Sequence, residues 1–167
     1  MLTIKTVLFL ATAGVSSAAL AAPSHDSAPA PSVFVSKAAQ DGMTEVELGK
    51  IALDKSKNAE VRDFAQRMVA DHGKANQELA SIAKNKGISA PKSLDASHEE
   101  TVKKLRSEEG DAFDIEYSRH MNMDHDKAIE LFEAASKSSD ADLAGFARKT
   151  LPTLKEHKEM ASKLPGQ

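Results

Sequence analysis

The chain of 167 residues lacks cysteine and tryptophan, and it contains one tyrosine and eight glycines. The absence of cysteine excludes disulfide bonds, thiolate catalysis, zinc fingers and a lipid-modified N-terminal cysteine. Aromatic residues make up 4% of the chain, which leaves few rings for stacking on bases or sugars. A net charge of −3 is too small and too mixed to suggest nucleic acid as a partner. Motifs for nucleophilic catalysis and phosphate binding are also missing, so the sequence favours a binding or structural protein over an enzyme.

The first 21 residues have the features of a secretory signal peptide. Lys5 supplies one positive charge, residues 6–21 are uncharged and largely apolar, and Ala19-Leu20-Ala21 has the small-x-small form that signal peptidase cleaves. We therefore expect cleavage near Ala21 and a periplasmic or secreted protein; the alternative is an uncleaved anchor. Residues 22–31 are rich in proline and are expected to form a flexible leader. No second apolar stretch follows, which predicts a soluble mature chain without a membrane span.

Residues 32–167 are predicted to form one all-α domain, because apolar residues recur at steps of three and four along four long segments. The predicted helices cover about 32–57, 58–87, 111–137 and 140–164. Tight connections make the first two and the last two helices antiparallel hairpins. Between the hairpins, residues 88–110 contain a short helix that a capping box at residues 97–100 opens and Gly110 closes. This long crossover predicts a ferritin-like four-helix bundle.

The two predicted hairpins also align with each other. Residues 52–65 match residues 134–147 without gaps, and the match keeps a turn, a helix cap and a Phe-Ala pair in place. Identity is low, so the sequence leaves open whether the hairpins are an internal duplication or a chance match between helical segments.

One polar residue interrupts the centre of each apolar stripe. These four residues are Glu45, His72, Asp124 and His157. In each predicted hairpin the carboxylate and the histidine are equidistant from the turn, so they lie at the same level. We therefore expect Glu45 to face His72, and Asp124 to face His157, near the middle of the bundle. Four neighbours are further candidates for ligands, namely Asp71, His120, His125 and Tyr117.

Buried polar groups of this kind must bond each other, water or a metal ion. One interpretation is a pair of carboxylate–histidine contacts that fix which helices meet, with no ligand. Another is a site for one transition-metal ion, since two imidazoles and two carboxylates suit Fe, Mn, Zn or Cu(II). Met68 and Met121 each lie one turn before a histidine. Thioether sulfur beside imidazole makes Cu(I) or Ag(I) a further candidate ion, although methionine is also an ordinary core residue. A small-molecule cavity or a partner-binding surface is a further interpretation.

Five motifs distributed along the chain carry a family resemblance. They are Gly42-Met43-Thr44-Glu45, Phe64-Ala65-x-x-Met68-Val69-x-Asp71-His72, Phe113-Asp114-x-x-Tyr117, Met121-x-x-Asp124-His125 and Leu151-Pro152-x-x-x-x-His157. The chain resembles a ferritin-like family of exported bacterial proteins of unknown function, often labelled predicted outer-membrane or periplasmic proteins. This resemblance covers nearly all of the mature chain. It implies a four-helix fold and export, and it implies no established reaction.

A wider resemblance is to di-iron carboxylate bundles, in which two of the helices each carry a Glu-x-x-His motif. Glu45 and Asp124 match the single carboxylates of those proteins, but the glutamates of both Glu-x-x-His motifs are replaced by Val69 and Leu154. The loss of these two carboxylates argues against a dinuclear iron centre with ferroxidase or oxygenase activity. A site for a single metal ion is still compatible with the sequence.

The sequence thus predicts an exported helical protein with a central polar site that holds one metal ion. The alternative is a ligand-free structural or stress-response protein of the periplasm, in which the cluster is only a buried polar network. A metal-dependent redox enzyme is the third hypothesis, and the sequence leaves the oligomeric state open.

Overall fold

The computed structural model describes residues 28–167, and this part of the chain contains five α-helices and no strand. The helices are α1 (Pro31–Lys55), α2 (Ala59–Asn85), α3 (Ala96–Ser107), α4 (Gly110–Ala135) and α5 (Ala141–Ala161). The all-α prediction is therefore confirmed. The predicted signal peptide and most of the predicted leader lie outside the described residues.

The turns that join α1 to α2 and α4 to α5 have the same construction. Ser56 Oγ accepts a hydrogen bond from the backbone N–H of Asn58 at 3.2 Å, and Ser138 Oγ accepts one from Asp140 at 3.2 Å. The side chains of Asn58 and Asp140 then cap the first turns of α2 and α5. Residues that align between the two predicted hairpins therefore have the same structural role in both.

The short helix α3 begins earlier than the sequence suggests. Its N-cap is Asp95, whose carboxylate accepts from the backbone N–H of His98 at 3.0 Å, so the predicted capping box opened by Ser97 is wrong. Gly110 was expected to close this helix, but it is the first residue of α4 and has a φ of 58°. Aspartate and serine cap equally well, so two cap residues so close together leave the start of a helix ambiguous.

The directions of the four long helices follow from contacts at their ends. α1 packs on α2 and α4 packs on α5, while α1 also contacts α4 and α2 contacts α5. Phe34, near the start of α1, contacts Phe132, near the end of α4, with ring centroids 5.1 Å apart. At the opposite end, Lys55 of α1 donates to the carbonyl of Glu108 at 3.0 Å, just before α4 begins. In chain order the long helices point up, down, down and up, and the segment with α3 returns along α1 and α4.

The buried side chains form two apolar clusters, one toward each end of the long helices. One cluster contains Leu48, Phe64 and Tyr117, and the other contains Phe34 and Leu79. Polar side chains from all four long helices lie between the two clusters. The fold thus places a polar layer between the two apolar clusters. Within residues 28–167 no helix has both the length and the hydropathy that a membrane span requires.

Candidate metal centre

The polar layer contains one buried side chain from each long helix. The exposed fractions are 1% for Glu45 on α1, 7% for His72 on α2, 0% for His125 on α4 and 1% for His157 on α5. Each residue takes the place of an apolar residue on the inward face of its helix. Since these faces meet at the same height, one carboxyl group and three imidazoles are enclosed together.

The three imidazole rings surround a common point. Their centroids are 5.6 Å apart for His72 and His125, 5.2 Å for His72 and His157, and 5.5 Å for His125 and His157. One nitrogen of each ring lies within 4.8 Å of one nitrogen on both other rings. Tetrahedral Zn–N bonds of about 2.0–2.1 Å place the ligand nitrogens roughly 3.3 Å apart. A modest inward movement of the rings therefore brings all three nitrogens to bonding distance from one ion.

The second nitrogen of two of these rings has a hydrogen-bond partner that fixes the tautomer. His125 Nδ1 is 2.9 Å from the carbonyl oxygen of Met121, and His157 Nε2 is 3.2 Å from Asp71 Oδ2. A carbonyl oxygen only accepts hydrogen bonds, so the proton of His125 is on Nδ1 and its Nε2 keeps a lone pair. The carboxylate of Asp71 likewise accepts a hydrogen bond from His157 Nε2, so the lone pair of that ring is on Nδ1. Partners of this kind orient the histidine ligands of metal sites.

Glu45 orients the third ring. Its Oε2 is 2.7 Å from His72 Nδ1, and its Oε1 is 3.6 Å from His125 Nδ1. The carboxyl group therefore lies beside the δ-nitrogens of two histidines, and the ε-nitrogens of both rings point away from it.

The remaining nitrogens are buried without a hydrogen-bond partner. They are His72 Nε2, His125 Nε2 and His157 Nδ1, and Glu45 Oε1 shares this condition. Buried polar atoms in proteins are nearly always bonded, and an unpaired one costs about 1–3 kcal/mol. One such nitrogen on each of three rings that surround a common point fits a single shared partner, and the lone pairs of three imidazoles are suited to a metal ion.

Burial holds the whole cluster close to neutral. It lowers the pKa of His72 and that of His157 to about 4, and it also lowers the pKa of His125. Burial raises the pKa of Glu45 to about 8. At neutral pH the rings are uncharged, which is the form that binds metals. The short contact between Glu45 and His72 is therefore a hydrogen bond, and the burial of both groups disfavours an ion pair there.

One of the two contacts expected from the sequence is present. Glu45 faces His72 at the middle of α1 and α2, as predicted. The expected contact between Asp124 and His157 is wrong, because His157 bonds Asp71 instead and Asp124 is only half-buried on the flank of α4. A role for Asp124 as a ligand stays a prediction.

The error on α4 amounts to one residue. The buried face of this helix passes through His125 and Phe132, whereas the predicted site residue Asp124 lies on the adjacent, half-buried flank with Leu131 two turns later. Steps of three and of four residues both stay on one face of a helix. The pairs Asp124-His125 and Leu131-Phe132 therefore allow two interpretations of which face is buried. The aromatic residue is the informative one, because Phe132 lies two turns after His125 and fills the core.

Two further candidates from the sequence also lie on α4. His120 is half-buried with its Nε2 unpartnered, and burial lowers its pKa, but its ring is outside the three-histidine group. Tyr117 is fully buried, and its hydroxyl has no partner. Its ring contacts Phe64 at 6.1 Å, and the Phe64 ring contacts those of His125 and His157 at 6.3 and 6.4 Å. Tyr117 therefore belongs to the aromatic wall on one side of the histidines.

The fold and the site define an all-α protein with a three-histidine centre enclosed by its four long helices. Residues 16–164 match the family model described as Domain of unknown function (DUF4142), and the chain belongs to this family. The resemblance to a family of unknown function that the sequence motifs suggest is therefore confirmed.

A solved structure has a similar fold. It is the crystal structure of a DUF305 fragment from Deinococcus radiodurans, with a TM-score of 0.70, 16% sequence identity, and coverage of 81% of this chain and 95% of that fragment. At this identity the similarity concerns the fold alone. No functionally curated protein matches the chain.

Proposed function

We propose that this chain is an exported metal-binding protein, in which His72, His125 and His157 hold one transition-metal ion. One observation carries the proposal: three enclosed imidazoles surround a common point, one nitrogen of each ring has no hydrogen-bond partner, and the other nitrogen of each ring contacts an oxygen atom that orients the ring. A ligand-free core has no need for this division between bonded and unbonded nitrogens. A metal site requires it, because each ring must present a lone pair in a fixed direction.

The donor set narrows the choice of metal. Imidazole nitrogen suits Zn, Cu, Fe and Ni, whereas Mn prefers carboxylate oxygen, and the three converging atoms are all imidazole nitrogens. The affinity of such a site for divalent ions is lower for Mn and Fe than for Cu. Met68 and Met121 lie in the apolar cluster and pack there as core residues. We therefore favour Zn(II) or Cu(II) over Fe, Mn and Cu(I). The protein residues supply neutral ligands, fix their orientation and exclude bulk water from the ion.

The proposal includes a ferritin-like four-helix bundle and export. The up, down, down, up order of the long helices is that of a bundle with one long crossover. The support for export is the apolar segment before residue 22 and its Ala19-Leu20-Ala21 site.

The first experiment measures metal content. The full-length chain with its leader is produced in a Gram-negative host, purified from the periplasm without chelator, and analysed for Fe, Mn, Zn and Cu. We expect close to one Zn or Cu ion per chain in the native protein and loss of the ion in His125→Ala and His157→Ala. His98→Ala is the matched control, since His98 lies on α3 and bonds Asp95 and Asp41 instead of the cluster. Native protein that stays metal-free after incubation with each ion would refute the metal proposal.

A ligand-free structural protein is the second candidate, and one observation favours it. The cluster is neutral without a metal, because burial shifts Glu45 and the histidines toward their uncharged forms. A neutral polar layer costs less to bury than a charged one. Under this candidate, neither added metal nor chelator changes the unfolding temperature.

A further inference from the structure

The position of Glu45 decides what completes the coordination of an ion held by the three histidines. Both of its carboxyl oxygens lie beside δ-nitrogens, at 2.7 Å from His72 and 3.6 Å from His125. On both rings the atom left free for a metal is the ε-nitrogen, on the far side of the imidazole. A carboxylate that holds the outer side of two ligands orients them and does not share their ion. Glu45, which the sequence suggests as a ligand, is therefore a positioning residue.

The other acidic residues near the cluster are similarly placed. Asp71 contacts Nε2 of His157, whereas the nitrogen of His157 that is left without a partner is Nδ1. Within residues 28–167, the group of side chains that could share one ion consists of the three histidines alone. Zinc is almost always four-coordinate in proteins, and a site with three protein ligands keeps its fourth position for a molecule from solvent.

We propose that an ion held by His72, His125 and His157 takes its fourth ligand from solvent, as one water molecule or one small monoanion. This inference deepens the proposed function and rests on it. It changes the type of site, because a metal with four protein ligands is closed, whereas a metal with three and a solvent-derived ligand can bind an exchangeable small molecule.

The surroundings offer space and hydrogen-bond partners for such a ligand. A cavity of about 20 Å³ adjoins the cluster on the side of Glu45 and His72, whereas His125 and His157 do not line it. Its other polar lining residues are Asp41, Asn76 and Thr150. A volume of this size accommodates one water-sized group. Glu45 Oε1 is buried and has no hydrogen-bond partner, so it can bond a water molecule held in this cavity.

The test uses Co(II) as a spectroscopic replacement and azide as the small anion. The mature chain is loaded with one equivalent of Co(II), and its visible absorption is followed during titration with azide at constant ionic strength. We expect the Co(II) bands to shift in a saturable manner, with one azide bound per Co(II). His98→Ala is the control for non-specific effects and should give the native titration curve.

Glu45→Gln distinguishes a positioning residue from a fourth ligand. We expect this variant to bind Co(II) roughly 10–100-fold more weakly, the usual cost of losing an outer partner, and to keep the azide response. If Glu45 were the fourth ligand, the native protein would be insensitive to azide and the variant would become sensitive.

The outcomes separate the inference from the function on which it rests. One Co(II) per chain with bands that azide leaves unchanged would overturn the inference, and the proposed metal site would stand. No bound Co(II), together with no bound Zn(II) or Cu(II), would overturn both.

Discussion

Two consecutive residues of α4, Asp124 and His125, show how sharply a helix separates side chains. His125 is fully buried between its neighbours on three other helices, whereas Asp124 is half-buried on the flank. Successive residues on an α-helix point about 100° apart, so only one of the two can face a site at the centre. The structure places the histidine at the centre, and the donor set that we propose is therefore three imidazoles instead of two carboxylates and two imidazoles.

Alanine substitution of each of these two residues tests this choice. We expect His125→Ala to weaken Zn(II) binding by more than about a hundredfold, because loss of a direct ligand costs more than loss of an outer partner. Asp124→Ala should leave the affinity within about tenfold, since a partly exposed charge nearby contributes roughly 1 kcal/mol or less. Competition titration with a chromophoric chelator measures both. Equal losses in the two variants would place Asp124 among the ligands.

Glu45 should make the stability of the metal-free protein depend on pH. Its pKa is raised from 4.5 to about 8 in the fold, so between these values the folded chain binds more protons than the unfolded chain. Stability from this group is present at low pH and is lost as pH rises toward 8. From pH 6.5 to pH 8 the loss is roughly 1–2 kcal/mol.

Urea unfolding at the two pH values, with chelator present, measures this loss. The glutamine in Glu45→Gln cannot titrate, so this variant should not lose stability between the two pH values. Above pH 6.5 the histidines contribute little, because the lowered pKa values of His72 and His157 restrict their effect to lower pH. An unchanged pH dependence in the variant would show that Glu45 is ionised in the fold.

At the scale of elements, the helices depend on the residues at their ends and on close contacts between them. The start of α3 has two candidate N-cap residues, Asp95 and Ser97, whose substitutions can be compared. Asp95→Ala should lower the free energy of unfolding by about 1 kcal/mol, the usual cost of removing an N-cap, whereas Ser97→Ala should change it little. Chemical denaturation measures both. A larger loss from Ser97→Ala would restore the capping box that the sequence suggests.

Two helix glycines should respond oppositely to substitution by alanine. A Cβ at Gly49 would lie 2.9 Å from Val69 Cγ2 and 3.1 Å from the carbonyl oxygen of Ala65, so Gly49→Ala forces α1 away from α2. We expect a loss of about 1 kcal/mol or more. A Cβ at Gly145 meets nothing within 4 Å, and Gly145→Ala should gain about 0.5–1 kcal/mol from helix propensity. A gain in both variants would mean that α1 and α2 are not closely packed at Gly49.

The elements were largely predictable from the sequence, and the reasons are local. Asn58 and Asp140 cap helices that follow short turns, and Gly87, with a φ of 67°, follows the end of α2, so these boundaries depend on residues within one turn. The start of α3 was not predictable, because Asp95 and Ser97 compete for the same role. Which face of α4 is buried was also ambiguous, since that choice depends on tertiary packing around Phe132.

At the scale of the whole molecule, the site depends on four helices that meet at one level. Hairpin geometry predicted the contact between Glu45 and His72, because a tight turn fixes which residues of α1 and α2 are level. The contact between His157 and Asp71 joins α5 to α2 across the crossover, and no turn fixes their relative height. The contact within the first hairpin was therefore predictable from the sequence. The contact expected within the second hairpin was wrong because it depended on the buried face of α4, and the contact between the hairpins was not predicted.

Because the proposed ligands His72, His125 and His157 come from three helices, we expect a bound ion to stabilise the whole fold. Binding to the folded state alone adds about 2.7 kcal/mol when free metal is at a hundred times its dissociation constant. We expect the unfolding temperature to rise with added Zn(II) and to return to its starting value with EDTA. His157→Ala should show no rise. An equal rise in that variant would indicate binding outside the cluster.

Export makes a separate prediction for the whole chain. Protein recovered from the periplasm of a Gram-negative host should begin at Ala22, as measured by intact mass and N-terminal sequencing. Replacing Ala19 and Ala21 by arginine removes the small residues that the peptidase accepts, and should leave an uncleaved precursor. A native product that retains residues 1–21 in the cytoplasm would contradict export.

X-ray absorption at the zinc edge tests the three-histidine centre most directly. For protein loaded with one equivalent of Zn(II), we predict three imidazole nitrogens at about 2.0–2.1 Å and one further light-atom ligand. Glu45→Gln should give the same three-imidazole signal, and His125→Ala should lose one imidazole. A spectrum with one imidazole or none in the native protein would contradict the account.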